Sequence, residues 1–369
     1  MVSRDTSVYV HVRRNGQDVS SRPHVSLTER VKQFTRKASH THRTSHHSRT
    51  TFNFSSLMLK IMELDIAKHF QQLLNGNENL KSTGQAAIET LMRCIEISKA
   101  KTVNELTDEL RNAVVAMSTT DHSIPSIRSA SELFLRFISL ATPEENAQEF
   151  SILMRKYKER GNIFIERVEL SKTLIACFAV PFIRNSMRIL THSYSKVVLE
   201  VLLHARRNGV NAHVFVTESC PDKSGNVMIK ALKDAGIHCT LILDAGVGYI
   251  METIDLVMVG AEGVMETGGI INKIGTHPLA VCAKAMHKPF FVMAESIKFV
   301  KEYPLNQNDI PIEFKYAAST LTKHKFDGDF SSEHPLVDYT PPQYINLLFT
   351  NLGILTPAAV GDELIKLYV

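Results

Sequence analysis

Arg188-Ile-Leu-Thr-His-Ser-Tyr194, Ala212-His-Val-Phe-Val-Thr217, Cys239-Thr-Leu-Ile-Leu-Asp244, Leu256-Val-Met-Val-Gly260 and Pro289-Phe-Phe-Val-Met-Ala294 are short apolar runs in the second half of a 369-residue chain. Helix-patterned segments alternate with them: Lys196–Asn208, Val227–Ala235, Gly248–Thr253 and Pro278–His287. Runs that are continuously apolar predict strands buried on both faces, and such strands separated by helices form a parallel sheet with helices on either side. The predicted fold class is α/β, with a Rossmann-like, doubly wound parallel-sheet domain over 185–369. Ligands of such a sheet sit beyond the carboxyl ends of its strands, so the residues to inspect lie just past each run.

Those residues are polar. Thr191-His-Ser-Tyr-Ser195 follows the first run, Thr217-Glu-Ser-Cys-Pro221 the second and Asp244-Ala-Gly-Val-Gly248 the third. Val259-Gly-Ala-Glu-Gly263 ends the fourth and leads into Thr267-Gly-Gly-Ile-Ile-Asn-Lys-Ile-Gly-Thr276. Gly268 and Gly269 allow close backbone approach, and Lys273 supplies positive charge to an anion. The implied ligand is a small, hydroxyl-rich anion. Neither GxGxxG nor GxxxxGK(S/T) occurs, which argues against dinucleotides and P-loop nucleotides. Each position also has a plain structural use. Thr191 and His192 can hydrogen-bond the strand end, and Glu262 can cap a helix or close a salt bridge. Asn272 and Lys273, side by side in a glycine-rich turn, favour a functional role.

From Met62 to about Arg184 the pattern is helical, with room for five or six helices. Thr102-Val-Asn-Glu105 reads as a capping box, and Thr142-Pro-Glu-Glu145 repeats the device with Pro143 at the first helical position. Ser131-Glu-Leu-Phe-Leu-Arg-Phe-Ile-Ser-Leu140 is apolar on more than one face, as a well-buried helix is. No complete catalytic centre is visible in this half.

Charge separates a third region. Residues 1–61 hold eleven Lys/Arg against three Asp/Glu, whereas the whole chain is only +4, so the remainder is slightly acidic. The folded body therefore gives no cause to expect nucleic-acid binding. The basic segment lacks a clear hydrophobic period. It reads as a disordered extension, or as an upstream start with Met62 opening the protein proper, and alternatively as a targeting presequence. His40, His42, His46 and His47 cluster there without a fixed frame to make them metal ligands. The five cysteines are scattered, with no CxxC or Cys/His spacing, so neither a disulfide framework nor a zinc site is expected and a reducing cytosol is the natural home. No window is apolar enough for a membrane span.

The run Gly260-Ala-Glu…Gly269-Ile-Ile-Asn-Lys-Ile-Gly-Thr276, followed by Leu279-Ala-Val-Cys-Ala-Lys284, resembles the signature of one superfamily. It unites methylthioribose-1-phosphate isomerases, ribose-1,5-bisphosphate isomerases and the alpha, beta and delta subunits of initiation factor 2B. Ser131–Leu140, Thr217-Glu-Ser219, Val247-Gly-Tyr-Ile-Met251, His334-Pro-Leu-Val-Asp-Tyr-Thr-Pro341 and Asp362-Glu-Leu-Ile-Lys-Leu-Tyr368 resemble its alpha-subunit branch in particular. The resemblance covers about residue 62 to the C-terminus. It implies a helical domain (62–184) and an α/β domain (185–369), with 1–61 outside.

The resemblance also assigns positions. The isomerases' catalytic cysteine falls on Ser193 and their aspartate on Glu262. A thiol, with a reference pKa near 8.5, exchanges protons near neutrality, whereas a serine hydroxyl needs a strong adjacent base. His192 is next to Ser193, but neighbours on a strand face opposite ways. The implied protein is therefore not an enzyme. Arg128, placed just before the Leu-Phe-Leu-Arg-Phe helix, falls at a phosphate-gripping position. With Thr191, His192, Ser193, Thr217, Glu218, Glu262, Asn272 and Lys273 it makes up a candidate sugar-phosphate site, in which Cys220 stands where the family has a further arginine. No metal or cofactor is expected. The implied role is a homodimeric regulatory subunit of the nucleotide-exchange factor, joined to its beta, delta, gamma and epsilon subunits. Its helical half would distinguish initiation factor 2 with a phosphorylated alpha subunit, for which Arg93, Lys99, Lys101, Arg111, Arg155, Lys156, Lys158 and Arg160 are possible contacts. The alternatives are a sugar-phosphate isomerase and a sugar-phosphate sensor.

Overall fold

The computed structural model describes residues 54–75, 81–120, 122–139, 149–311, 314 and 335–368. The clustered histidines, the Thr142 cap and nearly all of the basic extension lie outside the described residues. Those from Ser55 onward belong to one compact unit.

Helices α1 (Phe54–Asn75), α2 (Thr83–Ile97), α3 (Val103–Ser118), α4 (Ile124–Ser139) and α5 (Phe150–Ala179) form the N-terminal layer. The Thr102 hydroxyl accepts the Glu105 amide at 3.2 Å, as a cap should. The reciprocal half of the box is shifted by one residue, since Glu105 accepts the Lys101 amide at 2.8 Å rather than that of Thr102. Ile88, Leu91, Ile95, Leu110, Met117, Ile127 and Phe134 fill the core of this layer. Helix α4 begins well before Ser131, so Arg128 lies inside it rather than ahead of it.

Thirty residues make α5 about 45 Å long at 1.5 Å per residue. Its Leu153 and Tyr157 pack into the helical core. Its Ile175, Ala176 and Ala179 pack under the sheet. One rigid rod thus ties the two halves together.

The sheet follows with β1 (Arg188–His192), β2 (His213–Thr217), β3 (Cys239–Ile242), β4 (Leu256–Gly260), β7 (Phe290–Met293), β10 (Leu347–Thr350) and β11 (Gly353–Leu355). The strand order is β11-β10-β7-β4-β1-β2-β3. Every pairing is parallel except β10 with β11. Helices α6 (Lys196–Arg207) and α7 (Gly225–Asp234) cover one face. The other is covered by α8 (Val247–Ile250), α9 (Thr276–Ala285) and α10 (Val360–Tyr368). Central β4 is buried at all five positions, whereas edge strand β3 is only partly covered. The five apolar runs are thus all strands, and the fold is α/β.

Two features depart from expectation. Residues 347–355 add two strands, because Leu347-Leu-Phe-Thr350 is as apolar as the other runs yet short and close to the C-terminus. The glycine-rich segment after Gly260 is also more than a turn, which occupies only residues 266–269. It forms β5 (Gly263–Met265) and β6 (Ile270–Lys273), which join β8 (Phe299–Val300) and β9 (Val337–Thr340) in a second sheet ordered β8-β5-β6-β9. Buried Met265, Ile271, Val300 and Tyr339 hold it together. Asn272 and Lys273 therefore project from a strand end, where the pleat fixes them more firmly than a turn would. Among the described residues no helix is long and apolar enough to cross a membrane.

Candidate functional site

The carboxyl ends of β1, β2 and β4 share one edge of the doubly wound sheet, and the end of β6, from the second sheet, meets them there. His192 ends β1 and is almost fully buried. Its Nε2 lies 2.9 Å from the Ile274 carbonyl, and its Nδ1 lies 2.6 Å from Thr217 Oγ1. A carbonyl only accepts, so Nε2 carries the proton and Nδ1 accepts from the threonine hydroxyl. Burial lowers the imidazole's affinity for a second proton. Both nitrogens are thus committed, and neither can serve Ser193. Gly275 makes this ring position possible: its φ is +103°, and a Cβ there would lie 2.9 Å from His192 Cε1.

Ser193 leaves the strand with φ +64°, a left-handed conformation that a serine adopts only under local constraint. Its Oγ is 2.7 Å from Ser224 Oγ. The Ser224 hydroxyl donates in turn to Asp222 Oδ1 at 2.8 Å, and the Ser224 amide reaches the same oxygen at 2.9 Å. With the Ser224 proton spent on the carboxylate, Ser193 must be the donor to Ser224. The chain ends on Lys273, whose Nζ lies 3.2 Å from Asp222 Oδ2.

Burial pushes the Asp222 carboxyl up, but Lys273 and the two Ser224 donors outweigh it and hold it below the usual carboxylate range. Glu262 behaves likewise: burial opposes its charge, and Lys273, Lys298 and the hydroxyls of Ser123 and Ser126 keep it ionised. Burial pulls Lys273 down, while Glu262 and Asp222 more than restore its ammonium. The two anions and their shared cation fix one another's protonation.

A cleft opens beside this chain, between the helical layer and the sheet. Its walls include Ser82, Ser126, Lys196, Glu262, Asn272, Glu295 and Lys298. Gly260 makes room for it, since a Cβ there would lie 2.4 Å from Ser195 Oγ. Glu295 is wholly buried. Its Oε1 lies 3.2 Å from the Ser171 hydroxyl, which makes a shorter bond of 2.6 Å to Val168 O, and its Oε2 has no partner. Asn272 donates to Thr276 Oγ1 at 3.0 Å, and Lys298 to the Ala261 carbonyl at 2.6 Å.

Of the residues singled out in the sequence, Ser193, Glu262 and Lys273 join the charged chain, and Glu262 and Asn272 also line the cleft. His192 and Thr217 bond to each other, and His192 also to the Ile274 carbonyl, outside that chain. Thr191 is fully buried with an unpartnered hydroxyl. Glu218 sits apart, its carboxylate grouped with Cys220 and Asp244. Arg128 does not line the cleft: it is exposed on α4 with its Nε 3.6 Å from Glu132. Position 128 falls on the outer face of that helix, whereas Ser126 and Ser129 face inward and bond the Glu262 and Ile297 carbonyls. Lys196, Glu295, Lys298, Asp222 and Ser224 were missed. Glu295 and Lys298 follow the fifth apolar run directly, where the rule of looking past each strand would have found them.

A doubly wound sheet with a polar, charge-compensated cleft past its strand ends, closed over by a helical layer, defines a class of two-layered α/β proteins. A sequence profile of the Initiation factor 2 subunit family matches residues 78–357, and the chain belongs to that family. It is 50% identical over 294 residues to translation initiation factor eIF2B subunit alpha of Caenorhabditis elegans, covering 79% of this chain and 95% of that one. It is 31% identical over 271 residues to ribose 1,5-bisphosphate isomerase of Archaeoglobus fulgidus, covering 73% of this chain and 83% of that one. Its fold matches a chain of the tetrameric eIF2B-beta2-delta2 complex of C. thermophilum with a TM-score of 0.64 at 20% identity, covering 87% of this chain and all of the other.

Proposed function

We propose that the chain is a non-catalytic regulatory subunit of the guanine-nucleotide exchange factor for translation initiation factor 2, working in the cytosol as a homodimer that bridges two halves of that factor. The similarity to the nematode eIF2B alpha subunit, which spans 95% of that protein, supports the subunit role. The observation that argues against catalysis is the fate of the Ser193 proton. Its hydroxyl is tied through Ser224 to an Asp222 carboxylate that Lys273 holds ionised. A carboxylate so paired is a weak base, and a serine hydroxyl without a strong base does not exchange protons near neutrality. In this reading the α/β half (185–369) dimerises. The helical half (62–184) faces initiation factor 2 and tells its phosphorylated alpha subunit from the unmodified one.

The test is assembly. Mixed with the beta, gamma, delta and epsilon subunits, the chain should co-elute at two copies per complex containing two of each partner. A chain that stays apart would overturn the subunit role.

The polarity of the cleft, with Lys298, Asn272 and the unpartnered Glu295 oxygen, supports a second property, retention of a sugar-phosphate ligand. Thermal stabilisation by a sugar phosphate tests it. A coupled ketose assay tests the isomerase alternative, which expects turnover where the regulatory reading expects none.

A further inference from the structure

One cation of the cleft, Lys196, lies outside the charged chain. Lys196 is the first residue of α6, after the Ser195 cap. Its side chain turns into the cleft, and its amine donates to the Lys81 carbonyl. Lys273 is matched to Asp222 and Lys298 to the Ala261 carbonyl. Lys196 faces two further cations, Lys172 of α5 and Lys298, with His122 of the helical layer also within its field. The carboxylate whose charge acts on it is Glu295, buried and with Oε2 unpartnered.

We propose that Lys196 is a nucleophilic amine that condenses with the carbonyl of a small phosphorylated aldehyde or ketone held in this cleft, an inference that rests on the cleft taking a sugar-phosphate-like ligand. The free amine attacks the carbonyl carbon to give a carbinolamine. Glu295 takes the proton released from nitrogen and returns it to the carbinolamine oxygen, which leaves as water. The product is an imine whose protonated form keeps the single positive charge of the ammonium it replaces, so the balance with Glu295, Lys172 and Lys298 is undisturbed. No oxidant or reductant is consumed.

Burial, Lys172 and Lys298 push the Lys196 amine down to about 8. More of the amine is then unprotonated near neutrality than in a lysine titrating at its ordinary value, which makes it the better nucleophile. The cavity volume of about 110 Å³ is small beside the ~300–1,000 Å³ of sites that hold drug-sized ligands by surface contact. A ligand of three to five carbons gains little from burial there, and a reversible covalent bond would lengthen its residence.

The experiment treats the full chain with glyceraldehyde 3-phosphate and sodium cyanoborohydride, followed by peptide mapping. Glycerol 3-phosphate, which has no carbonyl, serves as a parallel thermal-shift ligand. The expected result is labelling of Lys196 at least about tenfold faster than of any other lysine, with a rate rising through about pH 8. Glycerol 3-phosphate should slow it, and Lys196→Arg should abolish it. If glycerol 3-phosphate stabilises the wild type but Lys196 labels no faster than surface lysines, the amine has no such role and the ligand cleft stands. If glycerol 3-phosphate neither stabilises nor competes and labelling is scattered, both fall together. Should Lys196→Arg fold poorly, the wild-type pH profile and the competition decide the matter.

Discussion

Replacing Lys273 by Met should expose how far the site's charges depend on one another. Methionine keeps the apolar stem and deletes only the cation. Asp222 loses its partner at 3.2 Å, and Glu262 loses the cation that contributes most to keeping it ionised. Breaking a fully buried pair costs about 3–5 kcal/mol, and an exposed pair contributes at most about 1. The side chains of Lys273 and Asp222 are 32% and 24% exposed, so an intermediate loss of roughly 2–3 kcal/mol is expected at pH 7.5.

The pH dependence gives the sharper test. In the wild type both carboxyls titrate below their ordinary values of 3.8 and 4.5. Their stabilisation is therefore present above those values and is lost as pH falls through the lower folded ones. Without Lys273, burial dominates and raises both carboxyls, so the folded variant takes up protons at higher pH and its deficit shrinks towards acid. Urea unfolding at pH 7.5 and 5.5, at one fixed protein concentration, measures this. A deficit under about 0.5 kcal/mol at pH 7.5, or one of equal size at both pH values, would refute the mutual dependence.

Other substitutions probe the frame. Asp338 accepts the amides of Gly275 and His277 at 2.8 and 3.0 Å, and burial outweighs these bonds to push its carboxyl from 3.8 to about 7. A raised folded value means its stabilisation is complete below about 4 and is lost as pH rises through 7. The melting temperature of Asp338→Asn should therefore fall short of wild type at pH 5 and close the gap by pH 8. Gly275→Ala must hold φ +103° and crowd the His192 ring, so a loss of about 2 kcal/mol or more is expected in denaturant unfolding. Thr102→Ala removes the α3 cap and should cost about 1 kcal/mol in the same assay.

What the sequence revealed and what it hid follow from which interactions are local. The five apolar runs were legible because a strand buried on both faces must be continuously apolar, whatever surrounds it. The site's edge followed from topology alone. β5 and β6 were hidden because they are short and flank a true glycine turn at Gly268 and Gly269, while their further pairing depends on β8 and β9, remote in sequence. Arg128 stands outside the cleft lining because its helix starts at Ile124, about two turns before Ser131, and in a helix each step of one residue turns a side chain by about 100°. The Ser193–Ser224–Asp222–Lys273 chain joins three separate segments, and neither Asp222 nor Ser224 belongs to any motif. Lys196 is shifted by burial and by Lys172 and Lys298, which only tertiary packing brings about.

The regulatory role is tested most directly by GDP release from initiation factor 2. Phosphorylated and unphosphorylated forms would be compared, with exchange factor assembled in the presence and absence of this chain. The expected result is basal exchange that is unchanged or faster with the chain, and strongly slowed by phosphorylation only when the chain is present. Equal sensitivity to phosphorylation with and without it, or failure to alter exchange at all, would contradict that role.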